Sequence, residues 1–202
     1  MIIFYCAAVA FVVMAVILRG RISNLAQLQL RHVWLVWAAL LTQVLIITVI
    51  PTHSHRVVAA IHVATYAAAG AFAWLNRKIA GAAPIFLGGG LNVVAILANG
   101  GTMPASRRAL VASGWHPRGG RFANSAVVPD AHVRFLGDVF ATPSWLPGHD
   151  VFSLGDVFIV IGIVLVMWRA CAPASRLTRS EKSLSLTLVA TFTASMLALA
   201  AS

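Results

Sequence analysis

Seven polar residues stand where an otherwise apolar chain could do chemistry. Gln43, His62, Tyr66, Asn92 and Asp156 interrupt long apolar runs, while Asn99 and Asp138 lie in the connection that separates two of those runs. A carboxylate, an imidazole, a phenol and amides in an apolar setting have three uses. They can bond to one another and order a helical bundle, line a pocket for a small molecule, or pass a proton. Other chemistries lack their residues. There is no His-Glu-x-x-His, no Cys-x-x-Cys, no Gly-x-Ser-x-Gly, no paired acidic metal motif and no pair of histidines at a helical ligand spacing. Cys6 and Cys171 are the two cysteines, at opposite ends of their runs, and are expected to stay free thiols. The sequence names no cofactor.

Composition sets the solvent these residues see. Of 202 residues, 60% are apolar and 10% charged, against roughly 25% charged in an ordinary soluble domain. Mean hydropathy is +0.88. Such a chain cannot hide its apolar surface in a soluble fold of this size, which excludes a soluble enzyme, a disordered tail and a disulfide-stapled secreted scaffold. The fold class expected is an all-α integral membrane protein, a bundle of five to six transmembrane helices forming a single domain over residues 1–202. The net charge of +10 is scattered between apolar runs, where it orients spans and meets anionic headgroups. No basic stretch interleaved with aromatics tracks a phosphate backbone, so no nucleic acid is expected as a partner.

Six apolar runs carry the elements: Ile2–Leu18, Val33–Ile50, Val57–Leu75, Pro84–Ala98, Val151–Trp168 and a Ser/Thr-diluted Leu184–Ala200. The last makes residues 183–202 a sixth span. The N-terminal run lacks the basic start of a signal peptide and reads as a retained span. With the N-terminus outside, nine Lys/Arg fall inside and six outside, five of these in the long connection Asn99–Asp150, where charge counts less. Arg outnumbers Lys thirteen to two and Ala is abundant, which reads as GC-rich bacterial coding; the expected location is a bacterial cytoplasmic membrane, N-terminus outside, with 99–150 an extracytoplasmic connection containing short helices. Arg21–Arg31 reads as a short amphipathic helix on the inner surface, capped by Ser23 or Asn24.

This orientation puts Gln43, His62, Tyr66, Asn92 and Asp156 at one level, about 8–14 Å below the outer boundary. The spacing thus predicts that Asp156 points inward with at least one of the other four as partner. Ala60, Ala64 and Ala68 form a small-residue face for close helix approach. Gly88, Gly89 and Gly90 imply either tight packing or a broken helix.

The connection holds a repeat: Leu136-Gly-Asp-Val-Phe140 recurs as Leu154-Gly-Asp-Val-Phe158. A chance identity of this length in so short a chain has a probability of about one to two per cent. Gly followed by Asp suits a helix entry, so the second copy is expected to start the fifth span and the first a short helix. In Asn99-Gly-Gly-Thr-Met-Pro104, the glycines end the fourth helix and Thr102 caps a new one with Pro104 in its first turn, followed by helix over Ser106–Val111. Asn99 and the glycine amides form a turn that could hold an anionic or carbonyl group.

These two elements, with Trp74-Leu-Asn-Arg77, resemble a bacterial multi-span membrane family catalogued only as a domain of unknown function (number five-three-one-seven). The resemblance covers about residues 1–168 and implies a helical bundle and no activity. Three functions remain. One is a non-catalytic accessory or scaffold subunit of a membrane complex, with lipid and protein partners. Another is a small-molecule or lipid binder or transporter with an outer-facing pocket, its binding residues drawn from Gln43, His62, Tyr66, Asn92, Asn99, Asp138 and Asp156. The third is a membrane enzyme with an outer Asp/His site.

Overall fold

The structure, a computed structural model, describes residues 22–48, 55–114, 125–142 and 150–171. The chain is mostly helical. A 3-10 turn (Ile22–Gln27) leads to α1 (Trp34–Thr48), α2 (His55–Leu75) and α3 (Ala83–Ala98). The connection holds β1 (Met103–Pro104), α4 (Arg107–Ala112), β2 (Ser125–Ala126), a second 3-10 turn (Arg134–Leu136) and β3 (Asp138–Ala141). β4 (Val151–Ser153) then runs directly into α5 (Leu154–Cys171). α1 packs on α2, and α3 packs on both α2 and α5.

Among the described residues α5 is the one helix long and apolar enough to cross a membrane, 18 residues with hydropathy 2.1. Trp34–Ile46, Ala60–Leu75 and Ala83–Ala98 are shorter apolar helical stretches. The first and sixth runs, and Cys6, lie outside the described residues; Cys171 is a buried free thiol.

α3 is unbroken through its three glycines, and the reason for one of them is contact. A Cβ on Gly88 would lie 2.2 Å from the carbonyl oxygen of Gly155 in α5, whereas Gly89 and Gly90 meet nothing within 4 Å. Gly88 lets two backbones touch; it does not break the helix. The Ala60/Ala64/Ala68 face receives no such partner among the described residues: Ala60 and Ala64 are exposed.

Three local expectations are corrected. Of the segment expected as a helix over Arg21–Arg31, the described residues 22–31 form no α-helix, and Ser23 and Asn24 lie within the 3-10 turn. Thr102 caps nothing and Pro104 is in β1, paired parallel with β2; Ser106 is the cap of α4, accepting a hydrogen bond from Ala109 N at 3.0 Å. The first Leu-Gly-Asp-Val copy forms a 3-10 turn and strand instead of a helix. Val151–Ser153, the first three residues of the fifth apolar run, precede the helix as a strand pairing antiparallel with β3.

Candidate functional site

The two copies of the repeat are brought side by side. β3 and β4 pair so that Asp138 stands opposite Ser153 and Phe140 opposite Phe152, whose rings stack at 5.4 Å. Thr142 closes the hairpin: its N and Oγ1 donate to Asp150 O, and Asp150 N donates to Thr142 Oγ1 at 2.6 Å.

Each copy uses its glycine for approach and its aspartate for bonding. In the second copy a Cβ on Gly155 would fall 2.0 Å from Asn92 Oδ1 and 2.6 Å from Gly88 O. The next residue, Asp156, accepts from Asn92 Nδ2 at 2.9 Å through Oδ1 and from Ser153 N at 2.9 Å through Oδ2. Ser153 Oγ in turn accepts from Asp156 N at 3.1 Å, which completes a reciprocal Ser-x-x-Asp cap on α5. The Ser153 hydroxyl proton lies between Asn92 Oδ1, 2.8 Å away, and Asp156 Oδ2, 3.0 Å away, and serves one at a time.

In the first copy a Cβ on Gly137 would fall 2.1 Å from Pro104 O, so the Asn-Gly-Gly-Thr-Met-Pro run packs on the repeat. Asp138 is buried, 5% exposed. Its carboxylate accepts from Ser125 Oγ in β2, its carbonyl accepts from Ser106 N at 3.0 Å, and Ala105 bridges to it in parallel. One residue thereby ties β1, β2, α4 and β3 together. Burial pushes the Asp138 carboxyl up to about 7; the Ser125 hydroxyl opposes this and the nearby Asp156 and Asp150 carboxylates add to it.

The remaining candidates form a second group. Gln43 Nε2 donates to Thr65 Oγ1 at 2.8 Å, and Thr65 Oγ1 donates to His62 O at 2.6 Å. His62 is fully buried and meets Tyr66 edge-on at 5.0 Å. Tyr66 also packs on the core of Ala95, Ile96, Met103 and Leu136. The single polar level thus resolves into a Gln43–Thr65–His62–Tyr66 group on α1 and α2 and an Asn92–Ser153–Asp156 group on α3 and α5. Asp156 has its expected inward partner in Asn92.

Asn99 is occupied by the fold. Its amide donates to Ala95 O at 2.7 Å and His132 O at 3.0 Å, and its oxygen accepts from His132 N at 2.9 Å. Asn76 does the same at the other end, accepting from Arg31 N at 2.8 Å and donating to Arg31 O at 3.0 Å and Phe72 O at 2.8 Å. His53, His116 and His149 lie outside the described residues. Among the described residues no three His, Cys, Asp or Glu side chains gather closely enough to hold a metal ion.

The sequence profile of the Family of unknown function (DUF5317) matches residues 27–168. The chain belongs to this family. The match includes both copies of the repeat and the whole Asn92–Ser153–Asp156 group, and begins later than the resemblance suggested, leaving the first apolar run outside it. No curated protein and no solved structure matches the chain.

Sequence reasoning missed Ser153, Thr65, Ser125 and Asn76. Ser153 was signalled by Ser-x-x-Asp directly before an apolar run. Thr65 and Asn76 had no signal, because a lone Thr or Asn in or after an apolar helix does not reveal the backbone or amide it will face. Ser125 depends on a parallel pairing between strands two residues long.

Proposed function

We propose that this chain is an integral protein of a bacterial cytoplasmic membrane, acting as a non-catalytic accessory or scaffold subunit of a larger membrane complex. One observation carries the reading: polar side chains face each other inside while apolar ones face out. Asn92, Asp156, Ser153, Gln43, Thr65 and Asn99 are engaged in internal hydrogen bonds. On α1, by contrast, Trp34, Trp37 and Leu41 are each 62% exposed and, with Leu45, recur at helical spacing. Leu87, Val94 and Leu97 of α3 are exposed as well. Apolar surface on more than one side of the body is what lipid and neighbouring subunits cover.

The ends differ in charge, which supports an orientation. Arg31, Arg77, Lys78 and Arg169 lie with Trp34, Trp74 and Trp168 at one end, whereas at the other Asp130, Asp138, Asp150 and Asp156 offset Arg107, Arg108 and Arg134. The basic, Trp-rich end suits the cytoplasmic interface and the repeat the outer one. Residues 1–202 then form one transmembrane domain of five to six helices, with 99–150 outside and 183–202 a sixth span.

Extraction and native sizing test this. The tagged full chain should stay in carbonate-washed membranes and run in mild detergent at a mass above its own 21.4 kDa plus micelle, with a second membrane protein in fixed ratio. A monomer carrying a stoichiometric small molecule would instead favour the pocket reading, and turnover lost on removing Asp138 or Asp156 the enzyme reading.

A further inference from the structure

The Arg31–Asn76 corner joins the start of α1 to the end of α2. Asn76 is itself buried and grips both backbone polar groups of Arg31, so the position of Arg31 beside Arg77 and Lys78 is fixed by hydrogen bonds. The chain leaves the corner through His32 at φ 55, which turns it into α1. Arg77 is pre-set: its guanidinium lies 4.3 Å over the Trp74 ring and one nitrogen donates to Trp74 O at 2.9 Å. Four of its five N–H donors lie beyond that bond. The loop after the corner rests on α5, where a Cβ on Gly81 would lie 2.9 Å from the Leu165 backbone, one turn before Arg169. The nearest acidic residue along α5 is Asp156, thirteen residues and about 20 Å away from Arg169. Arg31, Arg77 and Lys78 thus share the corner, and none of them forms an ion pair with a carboxylate among the described residues.

We propose that this corner binds the phosphodiester of an anionic lipid headgroup, a proposal that rests on the membrane reading above. Lipid is favoured over a soluble phosphate by what surrounds the charges. Trp34 and Trp74 are 62% and 67% exposed, and Leu30 and Val33 are exposed next to Arg31. A soluble anion has no use for these neighbours, whereas a lipid places its phosphate on the guanidinium groups and its glycerol and acyl portions on the indoles and α1. Asn76 acts as a positioning residue, since it holds the backbone that displays Arg31.

The test uses the full chain in nanodiscs of phosphatidylcholine with or without phosphatidylglycerol, with bound lipid counted by native mass spectrometry after release into detergent. The wild type should retain phosphatidylglycerol over phosphatidylcholine, and Arg77→Gln should cut that preference about fivefold, the weight of one basic side chain at an anionic surface. Asn76→Ala keeps every charge and should also weaken it. Arg107→Gln, an exposed cation on α4 at the other end, should leave it unchanged. Equal preference in wild type and Arg77→Gln, both still membrane-bound, overturns the proposal alone. Release of the lipid by millimolar inorganic phosphate overturns its commitment to lipid. Loss of the wild type from carbonate-washed membranes overturns the membrane reading, and this proposal with it.

Discussion

Asn92 and Asp156 meet across the contact of α3 and α5 with amide nitrogen and carboxylate oxygen 2.9 Å apart. The glycine beside Asp156 makes that possible, because any side chain at Gly155 would occupy the place of Asn92 Oδ1. Bond and close approach are therefore one feature. The carboxylate also closes the cap on α5 through Ser153, so the amides of Ser153 and Asp156 at the start of an apolar helix are satisfied.

Asp156→Ala should destabilise the fold by about 2–3 kcal/mol, combining the lost cap with an Asn92 amide left unpaired inside. Asp130→Ala should cost little: its ion pair with Arg134, at 3.8 Å, joins two exposed side chains. Thermal unfolding in detergent measures both. An unchanged midpoint for Asp156→Ala would remove the network from any structural role.

Three glycines in a row make an internal control. Gly88→Ala should destabilise by about 1–3 kcal/mol, because a backbone oxygen of α5 must move. Gly90→Ala meets open space and should be neutral or stabilising. A chemical-denaturation series on the two variants gives the comparison, and equal loss in both would contradict the close α3–α5 contact.

What could be read from the sequence was what depends on local pattern. Pro84–Ala98 was expected as a helix and Ala83–Ala98 is one; the second Leu-Gly-Asp-Val-Phe starts α5 as expected. The first copy shows where local pattern ends. Leu136–Phe140 and Leu154–Phe158 are identical, yet one is turn and strand and the other helix. After Phe140 come Ala, Thr and Pro143, which stop a helix, while after Phe158 an apolar run continues it. The strand also gains a partner in β4. Likewise, five polar residues in the apolar runs were picked out, but Thr65 and Ser153 in the same runs were not, and the grouping depended on helix rotation. Gln43 turns to Thr65, a residue hidden in an apolar run, and so belongs to a different group from Asp156.

The proposed orientation assigns Arg108 and Lys78 to opposite sides. Both are exposed, one on α4 and one after α2. In a background with Cys6 and Cys171 replaced by Ser, Arg108→Cys should react with an impermeant maleimide in intact cells, and Lys78→Cys only after permeabilisation. The reverse pattern would invert the topology.

Asp138 makes stability depend on pH in a direction opposite to the usual carboxylate. Its folded-state value, about 7, lies above the unfolded value of 3.8. Between these values the folded state holds a proton that the unfolded state has released, so unfolding loses a proton and stability falls as pH rises. The contribution is fully present below about pH 4 and gone above about pH 7, a span on the order of 4 kcal/mol. Asp150 and Asp156 face the carboxyl as like charges. Of the arginines on the neighbouring elements, Arg107 and Arg108 are exposed and Arg134 pairs with Asp130. Asp138→Asn keeps the shape, cannot titrate, and can donate its own amide to Ser125. It should flatten the fall between pH 4 and 7 and exceed the wild type in stability above pH 7. Ser125→Ala should move the end of the fall to higher pH, because the hydroxyl that favours the ionised form is gone. Denaturation midpoints for the three proteins across pH 4–8 decide the matter. Parallel curves for wild type and Asp138→Asn would mean that Asp138 is ionised in the folded state, and that the joint of β1, β2, α4 and β3 holds a charge.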